Sequence, residues 1–264
     1  MPLVYDAILP HVPVFALVLA RIGGMFIFAP ALGSPAIPVQ VKAMLVIAMS
    51  LAVYPTIDLH AEVPMTLDLA SLAPAMAVES LIGLSIGMIA SLPLVSVQMG
   101  GLLMGQQMGL GLGSIYNPAI DSEADVAGQV LFYLALGIFL MSGGLEAMHR
   151  AMVATFAAVP IGGFGADDVP LDLVAGMLAS GFELAVRIAA PVLCIIFVET
   201  VATGLIMKTA PQINILSFGF PIRILLGLAA LYASLAAVHE VISEDVEGSI
   251  RAMLEWAVAP GRAA

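Results

Sequence analysis

The chain has 264 residues, 61% hydrophobic and 10% charged, with a formal net charge of −11 and a mean hydropathy of +1.10. A soluble globular domain carries about 25% charged residues, so this composition excludes one, and the eight Lys and Arg exclude a basic nucleic-acid-binding surface. The single cysteine, Cys194, excludes an intrachain disulfide and reads as a small core hydrophobe.

MPLVYDAILPHVP has no basic n-region and contains an aspartate and three prolines, so it does not read as a cleavable signal. A membrane helix needs about 20 mainly apolar residues. The first candidate is Val12 to Leu32, with Arg21 at its middle and Pro30 near its end. Lys42 precedes a shorter one, Ala43 to Ile57, and the acidic loop DLHAEVPMTLD follows. Leu69 to Val97 is longer and holds Glu79, with Pro74 and Pro93 near its ends. Next come the glycine-rich GGLLMGQQMGLGLGSIYNPAID, Gly100 to Asp121, and the acidic DSEAD. Val126 to Leu145 is a further spanning candidate, closed by GLEAMHR, and Ala151 to Ala166 is apolar and glycine-rich. DDVPLD leads into Leu173 to Val198, which holds Glu183 and Arg187. The last run, Ile213 to Val238, is entered through KTAPQIN and left through HEVISEDVEG, before a mixed tail, Ser249 to Ala264.

No part has the composition of a soluble domain or a linker. The expectation is an all-α, polytopic membrane protein of long hydrophobic helices and helical hairpins. Lipid offers an open backbone no hydrogen-bond partners, and the apolar runs do not alternate as barrel strands do. If the glycine segment is one crossing, the acidic stretches share one side and Lys42, Arg150, Lys208 and Arg223 the other, which places the basic side in the cytoplasm. Ala43 to Ile57 and the glycine segment are poor spanners and suit hairpins packed on protein.

The glycines have two readings. Small residues four apart let helix backbones approach closely, which suits Gly101 and Gly105. Gly109, Gly111 and Gly113 are too dense for that alone, and the stretch runs through Ser114 and Tyr116 into Asn117-Pro118, where the residue before proline avoids the helical region. Gly109 to Pro118 therefore reads as an irregular pore-lining, re-entrant or plug element. Met99, Met104 and Met108 beside it are soft side chains that pack a core or seal irregular gaps.

Charged residues inside apolar runs are functional candidates. Glu183 with Arg187, and Glu146 with Arg150, have the spacing of local ion pairs. Arg21, Glu79 and Glu199 have no local partner; pairing with another helix is expected for Arg21, while Glu79 is open to pairing or to proton movement. Enzyme signals are incomplete. Glu146-x-x-His149 lacks a second copy, HEVISE lacks a second histidine, and GLSIG at Gly83 lies in an apolar helix rather than at a strand-to-helix elbow. No catalytic, cofactor-binding or metal residue is expected, and no cofactor.

Three stretches together resemble a known family. ARIGGMFIFAPALGSPAIPVQVKAMLVIAMSLAVYP, GQQMGLGLGSIYNPAID and KTAPQINILSFGFPIRILLGL are similar, in order and spacing, to the signatures of the FliR family of flagellar biosynthesis proteins and its injectisome counterparts. The resemblance implies a non-enzymatic subunit of the export gate of a flagellar type III secretion apparatus. That subunit forms part of the channel for unfolded flagellar proteins across the bacterial inner membrane, at the basal body. It implies a FliP-like part over residues 1–166 and a FliQ-like hairpin with its tail over 167–264. The implied partners are FliP-like, FliQ-like and FlhB-like subunits, the exported proteins and lipid. The family's plug falls on Gly109 to Pro118, with Asn117 where the family often has aspartate. Lys208, Pro211, Gln212, Asn214, Pro221 and Arg223 fall at a hairpin turn that contacts neighbouring subunits. Two other readings are a small-solute transporter, which calls for paired broken helices of which only one break is found, and a purely structural membrane subunit.

Overall fold

The computed structural model describes residues 11–57, 69–110, 126–161, 171–209 and 215–258. Among them are seven α-helices and no strand: α1 His11–Phe28, α2 Val39–Val53 with a 3-10 turn at Tyr54–Thr56, α3 Leu69–Met108, α4 Val126–Met141, α5 Gly144–Ala158, α6 Leu171–Thr209 and α7 Ile215–Val258. The protein is all-α, as its composition requires. Among the described residues, five helices are long and apolar enough to cross a membrane, six if α4 and α5 count as one broken span.

Several helices outrun the expected apolar runs. α3 passes without a break through Pro93 and the first glycines, so Leu69 to Val97 and the front of the glycine segment are one element of 40 residues. At 1.5 Å per residue it is about 60 Å long, twice the roughly 30 Å of a bilayer core. α6 and α7, with 39 and 44 residues, exceed it similarly. HEVISEDVEG is not an exit loop but lies inside α7, which ends only at Val258. Its polar residues recur around buried Ile242, Val246 and Met253, and that spacing keeps one helical face apolar. GLEAMHR likewise opens α5 rather than closing a span: Gly143, at φ +73°, sets the break, and Glu146 lies in the first turn, where the helix dipole favours an acid.

The chain divides into two compact units. The first is Met1–Leu92, Leu140–Met177 and Glu247–Ala264; the second is Pro93–Phe139 and Leu178–Val246. In the first, α1 packs on α2, and Leu17, Ile22, Met25, Ile82, Ile86, Met152 and Trp256 are buried. α1 and α3 cross there with their backbones in contact. A Cβ on Gly83 would overlap the Arg21 carbonyl, one on Gly24 the Ser80 carbonyl, and one on Gly87 the Met25 carbonyl. The GLSIG pattern is thus a packing surface, and its Ser85 hydroxyl donates to Leu81 of its own helix. In the second unit the ridge does the same: a Cβ on Gly100 would overlap the Ala185 carbonyl of α6, and one on Gly101 the backbone of Gly128 on α4. At Gly105 the nearest atom is the Ala127 Cβ at 3.5 Å, an ordinary contact.

Candidate functional site

Among the described residues, the buried charges Arg21, Glu79 and Glu199 fall in two groupings, one in each unit. In the first, Arg21 of α1 and Glu79 of α3 are wholly buried and joined by Nε to Oε2 at 2.5 Å. Arg21 Nη1 donates to the carbonyls of Thr155 and Val159 at 3.1 and 3.2 Å. These close the C-terminal end of α5, where orphan carbonyls and the negative end of the helix dipole favour a cation. The Phe156 ring lies against the guanidinium, 4.4 Å from Cζ to centroid. One cation thus ties three helices together. Nothing in the sequence pointed to Thr155, Phe156 or Val159, because two of them contribute only carbonyls and the third reads as an ordinary core aromatic.

This geometry gives Glu79 a partner on another helix. Arginine stays charged in proteins, so removing the Glu79 side chain would strand a buried cation, and an isolated buried charge costs several kcal/mol, of order 3–5. The pair is a cross-link between α1 and α3.

In the second unit, Glu199 of α6 takes Arg223 of α7 at 3.1 Å, with side-chain exposures of 4% and 27%. Thr203 donates to Glu199 at 2.8 Å, and Arg223 Nη2 also reaches the Thr200 hydroxyl at 2.7 Å. This corrects the placing of Arg223 and Pro221 at a hairpin turn: both lie inside α7, and Arg223 turns inward because the nearest opposite charge in an apolar helix pair is Glu199. Lys208 is exposed in the last turn of α6, while Pro211, Gln212 and Asn214 lie outside the described residues. Glu183 and Arg187 are corrected too. Both are exposed on α6, and among the described residues no ion pair joins them. The other local pair does close, Arg150 to Glu146 at 2.5 Å, on an exposed surface.

The glycine ridge ends in a defined turn. Met104 and Met108 are buried in the second unit, whereas Met99 is exposed, so the three do not form one stripe. Gly109 is left-handed at φ +81°; its N–H donates to Gln106, and that of Leu110 to Gly105. That pair of bonds is the Schellman ending, which glycine adopts without strain. Gly111, Gly113, Ser114, Tyr116, Asn117 and Pro118 lie outside the described residues.

Much apolar surface is left uncovered, including Met44 and Leu51 on α2, Phe197 and Val198 on α6, and Leu225 and Tyr232 on α7. A chain in water rarely tolerates this; lipid or neighbouring subunits accept it.

The sequence profile described as bacterial export proteins, family 1, matches residues 12–249. Among similar proteins, the flagellar biosynthetic protein FliR of Caulobacter vibrioides is 28% identical over 235 residues, 88% of this chain and 92% of its own. The FliR protein of Bacillus subtilis is 24% identical over 253 residues, 94% and 96% of the two chains. The Yop proteins translocation protein T of Yersinia pestis is 24% identical over 212 residues, 79% and 80%.

Proposed function

The chain belongs to the bacterial export proteins, family 1, and we propose that it is an integral subunit of the export gate of a flagellar type III secretion apparatus. In this reading it forms part of the channel that passes unfolded flagellar proteins across the inner membrane, at the basal body. The observation that carries the proposal is the extent of the match: residues 12–249 take in all seven described helices except the first residue of α1 and the last turns of α7. The uncovered apolar faces of α2, α6 and α7 support it, since they suit FliP-like, FliQ-like and FlhB-like subunits together with lipid. The FliP-like and FliQ-like parts, residues 1–166 and 167–264, belong to the same proposal.

A solute transporter needs free intramembrane charges at a central site, and Arg21, Glu79 and Glu199 are already engaged with one another's helices or with Arg223. The pore segment is Gly109 to Pro118, where the ridge leaves its helix. The partners are tested by native mass spectrometry of the tagged protein purified from membranes. A large complex with several copies of small helical subunits is expected; a monomer or homodimer would overturn the reading. The pore segment is tested by deleting residues 109–118, which is expected to leave assembly intact and make cells leak potassium.

A further inference from the structure

Glu183 and Arg187 lie in the first half of α6, and among the described residues neither makes an ion pair or a hydrogen bond. They cannot turn inward, because the opposite face of α6 is closed on its own unit. Leu184, Ala185, Ile188 and Ala189 are buried there. A Cβ on Gly181 would overlap the Ser96 hydroxyl of α3, and one on Gly100 of α3 would overlap the Ala185 carbonyl. Contacts this close fix the rotation of a helix about its axis. The outward stripe is therefore set: Leu178, Phe182 and Val186, at 46%, 57% and 57% exposure, with Glu183 and Arg187 beside them. Residues four apart stack along one helical face. This stripe suits neither hydrocarbon nor water. In hydrocarbon, a carboxylate and a guanidinium without partners are expensive. In water, three large apolar side chains form a patch that calls for a cover. A protein neighbour that is apolar and carries the opposite charges satisfies both halves.

We propose that this stripe of α6 is the docking surface for a helix of a neighbouring membrane subunit, one that presents a basic group to Glu183 and a carboxylate to Arg187. The proposal rests on the export-gate reading above and adds to it the chemistry of one partner. The two charges are four residues apart, about 6 Å along the axis, so the partner's charges stand about one helical turn apart, base opposite acid and acid opposite base. An apolar face alone lets two helices slide past each other; opposite charges at two fixed heights set register and direction. A second copy of this chain does not supply that pattern. Related by a two-fold axis along the membrane normal, it would set Glu183 against Glu183 and Arg187 against Arg187 at equal height.

The test recovers the tagged full-length chain from membranes of cells carrying the complete apparatus. Quantitative mass spectrometry then measures the partner subunits brought down per tagged chain. Glu183→Arg combined with Arg187→Glu keeps every apolar residue and keeps an acid and a base four residues apart, but reverses the order that a partner meets. Recovery of at least one partner subunit is expected to fall several-fold, with the chain's own level in membranes unchanged. Glu183→Gln combined with Arg187→Gln is expected to give a smaller fall, since it removes attraction without adding repulsion. Parental recovery of every subunit in the reversed variant overturns the proposal, because the charges then face lipid headgroups or each other. That result leaves the export-gate reading standing, whereas a parent chain that brings down no partner overturns both. If the reversed variant is itself lost from membranes, photoreactive benzoylphenylalanine in place of Phe182, with both charges intact, decides. A cross-link is expected to a subunit that the parent brings down and that has a basic and an acidic residue about one turn apart in an apolar helix. A cross-link to no protein, to a second copy of this chain, or to a subunit without those charges overturns the proposal.

Discussion

The two interhelical ion pairs occupy different settings. Arg21 and Glu79 are fully enclosed, and the guanidinium also serves the end of a third helix. Glu199 and Arg223 join α6 and α7, with the arginine about a quarter exposed and threonine hydroxyls on both sides. A buried pair need not add net stability over an apolar replacement, but losing one member is severe because the other remains stranded. A pair whose arginine reaches solvent and has spare hydroxyl partners has other ways to be satisfied. Burial and the number of dependent groups, rather than the presence of a charge pair, therefore decide how much each region relies on it.

That contrast orders the expected effects of substitution. Glu79→Ala is expected to cost about 3–5 kcal/mol, read as loss of the protein from membranes. Arg21→Met combined with Glu79→Leu is expected to recover most of it, and a double variant as poor as Glu79→Ala would show that more than the stranded charge is at stake. Glu199→Ala is expected to cost about 1.5 kcal/mol, in the range for hydrogen bonds to charged groups, seen as a lower melting temperature of the detergent-solubilised complex. A loss equal to that of Glu79→Ala would erase the distinction between the regions. Glu146→Gln removes an exposed i,i+4 pair worth about 0.3–0.5 kcal/mol, and its melting temperature is expected to match the parent in high salt.

Much of this arrangement could be read from the sequence, and what could not has physical causes. The apolar runs mark helices because each exceeds what a strand needs and lacks its alternation. Their ends were harder: HEVISEDVEG and GLEAMHR look like loops by polarity, yet their apolar residues recur at helical spacing. Arg21 signals a partner by being a cation in an apolar run, but its partners lie 58, 134 and 138 residues away. Local spacing is silent over such distances, and it misleads at Glu183 and Arg187, where proximity alone does not close a pair. The Gly83 and Gly87 pattern imitates a catalytic motif because glycines serve sharp turns and close helix crossings alike.

The long reach of Arg21 has a consequence for the order of synthesis. Glu79 is made 58 residues after it, a delay of roughly 3–12 s at about 5–20 residues per second, and the α5 carbonyls come later still. During that interval α1 carries a cation without its partner. On insertion scales a central arginine costs about 2.5–3.5 kcal/mol, and the leucines, isoleucines and phenylalanines of α1 favour insertion against it. Lengthening that interval, by slowing translation between Arg21 and Glu79, prolongs the time α1 holds its cation unpaired.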